Sequence, residues 1–306
     1  MQGPYFADLV FYGLPPLRPR GEVFAQGFDL VPGGAYNAAM AIHRLGHHAV
    51  WSTDFGTDLF SAAVLSAARS EGLAENEFRH HPGVMRSVTV ALAQGGERTM
   101  VSYQDPMVSA PLAQLICEHR PEVLILPTLR SDPDAVAGLM AARDLGTTVV
   151  MDCQDVPSSL DDATVGQALE LVDVFLPNAE EALRLTGADE LDDALGALGT
   201  LVRTVVVKRG SRGAAAVEDG RRRDIAAAPV DVVDTTGAGD CFNAGFVHGL
   251  LSGWDLVECL RSAVVCGSAV TLAPGSSASL RADQLPQHLE RHRRMSADLN
   301  TEGRAS

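Results

Sequence analysis

The most specific chemistry in this 306-residue chain lies in Asp234-Thr235-Thr236-Gly237-Ala238-Gly239-Asp240, which runs straight into Cys241-Phe242-Asn243-Ala244-Gly245-Phe246. Small residues at 237–239 let backbone N–H groups converge on an anion, at the start of a helix whose dipole favours negative charge. Asp240 falls in the first turn of that helix. A carboxylate there can take a proton from an attacking hydroxyl while the N–H groups hold a phosphoryl group. A glycine-rich turn followed by an acid is common, but the whole string is far more specific than its Gly-Ala-Gly-Asp core. A second group, Pro32-Gly33-Gly34-Ala35-Tyr36-Asn37-Ala38-Ala39, also leads a helix. Its paired glycines let a ligand approach the backbone closely, and the Asn37 amide can both donate to and accept from hydroxyls.

Composition narrows what this chemistry can serve. The basic residues are 23 arginines and one lysine, Lys208. Lys208 follows Val205-Val206-Val207 rather than a glycine, which excludes the GxxxxGK[ST] phosphate loop. Lys208 itself reads either as a phosphate ligand or as a solvated strand end. Acids outnumber bases 39 to 24, for a net charge of −15. That balance opposes general nucleic-acid binding, and an anionic substrate needs a local positive pocket. Five cysteines, an odd number without a CxxC pair, read as free thiols of a reducing cytoplasm. No basic n-region precedes an apolar run at the N-terminus. The longest uncharged run, 262–280, contains Pro274 and Gly275 and reads as a core helix plus loop, not a membrane span. The expected location is cytoplasmic. His47-His48 and His80-His81 diverge on strands, so a shared metal is not expected. His288 and His292 read as a solvated helix face, and Arg221-Arg222-Arg223 as a solvated hairpin.

The elements that must position these residues alternate between short β-branched runs and helical stretches, which predicts a parallel sheet with crossover helices. Strands are expected at 9–12, 49–53, 123–126, 148–151, 172–176 and 205–208. Helices are expected at 34–45, 57–70, 134–144 and 160–171, with Gly46 and Gly72 closing the first two. A hairpin follows at 214–226, then helices at 238–252, 255–271 and 282–295. Two segments, 14–32 and 86–103, break the rhythm and read as a small antiparallel sheet standing off the main one as a lid. The reading is a single domain over 1–295 with the lid inserted, and a flexible tail over 296–306.

Together these residues resemble the ribokinase, or PfkB-type, family of carbohydrate kinases. Gly33 to Ala39, with Gly46 and Gly56, resembles that family's N-terminal signature, and 234–247 its C-terminal one. Between them, Asn178-Ala179-Glu180-Glu181 is similar to the family's Asn-x-x-Glu motif. Lys208-Arg209-Gly210-Ser211-Arg212-Gly213 is similar to its nucleotide loop. Gly96-Glu97-Arg98-Thr99 stands where members carry a lid hairpin. The resemblance covers 9–289, with the motifs in the family's order.

The resemblance implies a three-layer α/β/α fold with a mainly parallel central sheet and a small β lid. It implies an ATP-dependent kinase of a sugar or sugar-like alcohol, working with Mg²⁺ and in some members a monovalent cation such as K⁺. Asp240 would be the base and Gly237, Ala238 and Gly239 the anion hole. Gly33, Gly34, Asn37 and Arg98 would meet the acceptor. Asn178, Lys208, Gly210 and Gly213 would meet the nucleotide, and Glu181 the metal. No nucleic-acid or membrane partner is implied; a homodimer through the lid is. The alternatives are an adenosine-type nucleoside kinase and a catalytically silent sugar-binding regulator on the same fold. One departure stands out. Many members place an aspartate a few residues after the first strand's glycine, whereas Gly13 here is followed by no acid until Glu22. The usual grip on vicinal hydroxyls is therefore expected to be absent or replaced by Asn37, Arg98, Glu22 or Asp29. Ribose should then be a poor acceptor, a difference that kcat/KM for ribose, fructose and adenosine would expose.

Overall fold

A computed structural model describes residues 1–302 except 19, 95, 96, 108, 155–157 and 274; over 93–98 and 297–302 it describes the backbone alone. The chain opens with β1 (Tyr5–Tyr12), turns back through β2 (Gly27–Gly34) and enters α1 (Ala35–Arg44) at once. β3 (Thr53–Phe55), α2 (Leu59–Glu71), β4 (Phe78–His80), β5 (Ser87–Gln94), β6 (Glu97–Gln104) and α3 (Leu112–His119) follow. Then come β7 (Val123–Leu126), α4 (Pro133–Leu145), β8 (Thr148–Met151), α5 (Ala163–Leu169), β9 (Val174–Phe175), α6 (Ala179–Thr186), α7 (Leu191–Leu198) and β10 (Thr204–Lys208). The hairpin β11 (Ala214–Glu218) and β12 (Arg221–Ile225) precedes α8 (Ala238–Leu251), α9 (Leu256–Val270) and α10 (Leu285–Glu302).

The main sheet has the order β12-β11-β10-β9-β8-β7, parallel from β7 to β10 and antiparallel at the β11–β12 hairpin. Its strands are apolar on both faces, as a covered parallel sheet requires. Val206, Ala214 and Ala216 pack with α8 and α9, whereas Val205, Val207 and Ala215 pack with α4, α5, α6 and α7. Alternation along each strand thus makes the three layers. The edge strand β12 carries Arg221, Arg222 and Arg223, all exposed. Charge on an edge blocks pairing with another chain. The hairpin turns through Asp219 and Gly220, both at positive φ, which is what a two-residue turn between twisted strands demands.

The second sheet has the order β2-β1-β5-β6. It contains the expected hairpin, but its composition departs from the expected lid in two ways. β1 belongs to it and starts at Tyr5 rather than at residue 9. The described part of 14–26 forms no strand, since Pro15 and Pro16 lack the N–H that a ladder needs. Beneath this sheet Tyr5, Trp51, Phe55 and Phe78 stack edge and face into one aromatic cluster.

Two further expectations are corrected. α10 continues past Ser296 to Glu302, so 296–302 is helical rather than a tail, there being no proline or glycine before Gly303 to stop it; residues 303–306 lie outside the described residues. His292 is 2% exposed, with Nε2 2.9 Å from Ala226 O, and is not part of a solvated face. Among the described residues no helix is long and apolar enough to cross a membrane.

α8 is the helix that carries Asp240, and it packs on α9 through glycine. A Cβ on Gly245 would lie 2.6 Å from Ser262 O, and one on Gly249 2.8 Å from Cys259 Cα. Gly196, inside α7, faces open space. Gly245→Val should therefore destabilise the protein by about 1–3 kcal/mol through overpacking, whereas Gly196→Ala should stabilise it by up to about 1 kcal/mol. Urea denaturation of the two variants checks both signs.

Candidate active site

α1 and α8 begin in the same way. Each has a glycine N-cap at positive φ (Gly34 at 64°, Gly237 at 72°), and neither has a side-chain cap. By contrast Asp58, Asp132, Asp162, Asn178 and Asp255 cap their helices with side-chain oxygens. An uncapped helix start leaves N–H groups and dipole for a ligand. Within the Gly237-Ala238-Gly239 loop, Ala238 N donates to Thr235 O at 3.2 Å, so this amide is committed to the turn itself.

The two helix starts are joined by one bond: Asn37 Nδ2 donates to Asp240 Oδ2 at 3.1 Å. Asn37 is 3% exposed, and its Oδ1 is buried without a hydrogen-bond partner. A buried acceptor left open calls for a donor such as a hydroxyl. Burial pushes the Asp240 carboxyl up to about 7. The Asn37 bond opposes the shift, Asp152 and Asp8 add repulsion, and Lys208 offsets part of it. A carboxylate poised near neutrality is suited to general-base work.

On one side of Asp240 opens a cavity of about 720 Å³. Gly237, Ala238 and Gly239 line it, with Asn178, Glu181, Lys208, Gly210 and Gly213. So the structure brings the expected anion-hole, nucleotide and metal residues to one place. Lys208 is not solvated: its side chain is 14% exposed, and Nζ donates to both oxygens of Asp152 at 2.7 and 2.8 Å. Asn243 Nδ2 donates to the same carboxylate at 2.6 Å. Sequence reasoning missed Asp152 and Asn243. Their signal was positional, since Asp152 follows β8 and Lys208 ends β10, at the carboxyl ends of parallel strands where open α/β sheets bind ligands.

Asn178 and Glu181 form a capping box on α6. Asn178 Oδ1 accepts from Glu181 N at 2.9 Å, and Glu181 Oε2 from Asn178 N at 2.7 Å. That leaves one Glu181 oxygen outside the cap. Burial raises the Glu181 carboxyl above its ordinary value. At Gly213 (φ 81°) a Cβ would collide with the backbone of 225–227, so only glycine lets that segment form the cavity wall.

On the other side of Asp240 lies the lid. A Cβ on Gly33 would fall on the carboxylate of Asp8, which is 6% exposed on β1. An acid thus stands beside the paired glycines, one that was not among the expected replacements. The carboxylate does not follow Gly13; it comes from inside the strand, paired with Val31 of β2. It was missed because the first strand was expected only from residue 9, whereas Asp8 is the body-facing residue of a strand that begins at Tyr5. Of the expected replacements, Glu22 is exposed in the strandless segment and Asp29 pairs with Val10. Arg98 pairs with Ala93 on β6; its side chain lies outside the described residues. β2 reaches the far side of the site, where a Cβ on Gly275 would touch Val31 at 3.3 Å, and Gly275 N donates to Asp234 Oδ2 at 2.8 Å.

The profile of the pfkB family carbohydrate kinases matches residues 14–283. The Arabidopsis thaliana protein named Probable fructokinase-4 is 27% identical over 93% of this chain and 95% of its own length. A solved Arabidopsis thaliana ribokinase, complexed with ribose and ATP, superposes with a TM-score of 0.79 at 21% identity, covering 94% of this chain and 97% of its own. A Vibrio cholerae O395 fructokinase variant with fructose, ADP and potassium bound superposes with a TM-score of 0.78 at 23% identity, over 94% and 96%.

The electrostatics of Asp240 give a signed test. In ligand-free protein its carboxyl should titrate near 7 by carbon NMR of labelled aspartate. Asp152→Asn removes a repulsion and should move that titration down, whereas Asn37→Ala removes a stabilising bond and should move it up.

Proposed function

Because the chain belongs to the pfkB family of carbohydrate kinases, we propose that it transfers the terminal phosphoryl group of ATP to a hydroxyl of a sugar, with Asp240 as the base. The observation that carries this reading is the position of Asp240. It stands between a cavity large enough for a nucleotide and a buried pair of hydroxyl-binding groups, Asn37 and Asp8, with its carboxyl pushed to about 7.

Asp8 and Asn37 orient the acceptor, and Asp240 takes the hydroxyl proton as that oxygen attacks. The Gly237-Ala238-Gly239 loop holds the charge of the transferring group through backbone N–H dipoles. Lys208, fixed by Asp152 and Asn243, adds a point charge beside Gly239, where a Cβ would lie 3.6 Å from Nζ. Gly210, Gly213 and Asn178 line the nucleotide cavity. Asp152, Glu181 and Asp240 set three carboxylates against one ammonium in this cavity, so the donor set fits a divalent cation. Glu181 would hold Mg²⁺ with its uncapped oxygen, the one-carboxylate arrangement usual for Mg²⁺ carried in with phosphates. Bound there, Mg²⁺ supplies neutralisation of the phosphate oxygens. K⁺ is proposed as an activator, tested by replacing it with a bulky organic cation.

The lid supports a homodimer. Leu30, Leu9, Val90 and Val101 form an apolar rung across its outer face, and Phe28, Leu30 and Val101 are exposed there. Sedimentation velocity at micromolar concentration should give a dimer, and a monomer removes this assignment without touching the kinase reading.

The decisive experiment is the isosteric variant Asp240→Asn. It should lower kcat by about 10² to 10⁴ and leave KM for ATP near its wild-type value, in an ADP-release assay over sugars. Near-wild-type turnover at saturating acceptor would refute the role of Asp240.

A further inference from the structure

A second cavity, of about 450 Å³, lies at the other end of the two helices that carry Asn37 and Asp240. Ile42 of α1 and His47 just beyond it line one side, with Val247 and Leu251 from the end of α8. Leu115, Ile116 and His119 of α3 line the other. Glu122 stands there at the amino end of β7, whereas Asp152 and Lys208 stand at the carboxyl ends of their strands. The two cavities share no lining residue. The floor is aliphatic: Ile42, Leu112, Leu115, Ile116, Ile125 and Val247 are all buried. Such walls give water no partners, so displacing water from them favours an apolar body.

The rim is acidic. Glu122 is the only carboxylate that lines the cavity, and no lysine or arginine side chain does. Glu122 is exposed, and its carboxylate makes no hydrogen bond or ion pair with a described residue. His119 brings two more acids to the rim. Its Nε2 is 2.7 Å from Glu77 Oε1, and donor atoms of Glu77, Glu118 and His119 all lie within 4.8 Å of one another. Neither Glu77 nor Glu118 pairs with a described lysine or arginine. Two carboxylates this close repel each other and favour a cation nearby. The Met1 amine donates to Val50 O at 2.7 Å, and burial lowers it to about 6, so it adds little positive charge at pH 8.

We infer that this cavity is a second ligand site, which takes a small amphiphilic amine with its apolar body on the aliphatic floor and its ammonium at Glu122. An apolar pocket with a few placed polar groups is the usual make-up of a small-molecule site. The net charge of −15 draws a cation towards the rim. An anionic head on the same tail meets three carboxylates and no arginine or lysine of the lining. This site is independent of the kinase reading above.

The test is calorimetric titration of the full chain with octylamine at pH 8. One octylammonium should bind per chain with a Kd of about 0.1 mM, within the usual bound per ligand atom. Each methylene added from hexylamine to octylamine should tighten binding about fourfold, and octanoate should bind more weakly by about tenfold or more. Glu122→Gln should raise the octylamine Kd about threefold to fivefold. Ala49→Phe, which fills the cavity from a half-buried lining position, should raise it by about tenfold or more. Glu122 is exposed, so its variant folds even if Ala49→Phe does not. Saturating ADP should leave the Kd unchanged. The site is overturned if octylamine binding does not saturate, if octanoate binds as tightly, or if Glu122→Gln leaves the Kd unchanged. Displacement of the amine by ADP overturns it too, since the amine would then occupy the cavity beside Asp240. Saturable binding of Zn²⁺ without binding of any amine would make the rim a metal site and likewise overturn it.

Discussion

One hydrogen bond, from Asn37 Nδ2 to Asp240 Oδ2 at 3.1 Å, joins residues 203 positions apart, and the rest of the site is arranged to permit it. Two helices must start at one point, so both start on glycines that give the chain a left-handed step. α1 follows β2 without a loop, which ties Asn37 to the lid. α8 follows the loop anchored by Asp234, which ties Asp240 to the nucleotide side. The far ends of the same two helices are also joined, with His47 Nε2 and His248 Nδ1 2.8 Å apart. Arg44, near the end of α1, bonds Glu71 and the carbonyls of Ser277 and Ser279. A pair clamped at both ends cannot slide, and sub-ångström placement is what transfer chemistry needs.

Electrostatics set the second constraint. On the proposed function, a chain of charge −15 has to receive a polyanion in a cavity that itself holds Asp152, Glu181 and Asp240. A broad basic surface is not available, so local devices replace it: uncapped N–H groups, a single clamped ammonium and, when bound, a divalent cation. Loss of water, with a smaller part from the same crowding of carboxylates, holds Asp240 near neutrality. The charges that line the proposed nucleotide site are thus the ones that set the Asp240 carboxyl, and a change at Asp152 or Lys208 touches both.

Much of this was legible in the sequence because it is local. The 237–240 loop, the Gly33-Gly34 entry, the Asn-x-x-Glu spacing at Asn178 and Glu181 and the parallel βα rhythm each depend on neighbours in the chain. What stayed hidden depends on pairing across long distances. Asp8 is a polar break in an apolar run until β2 is laid beside it in register. Asp152 is an ordinary acid after a strand until Lys208, 56 residues on, is brought alongside by the sheet. His292 looks solvated on its own helix and is buried because α10 lies against the segment after β12. The tail beyond Ser296 is polar, yet nothing in it breaks a helix.

The central claim is that the half-buried Asp240 carboxyl, with a value near 7, takes the acceptor's proton. The most direct test is the pH dependence of kcat/KM for the sugar in the wild type and in Asp240→Asn. The account predicts a wild-type rate that falls about tenfold per pH unit below 7, as the base becomes protonated. The variant should show a low rate without that acid limb. An acid limb at the same pH in Asp240→Asn would contradict the account, because the titrating base would then be another group.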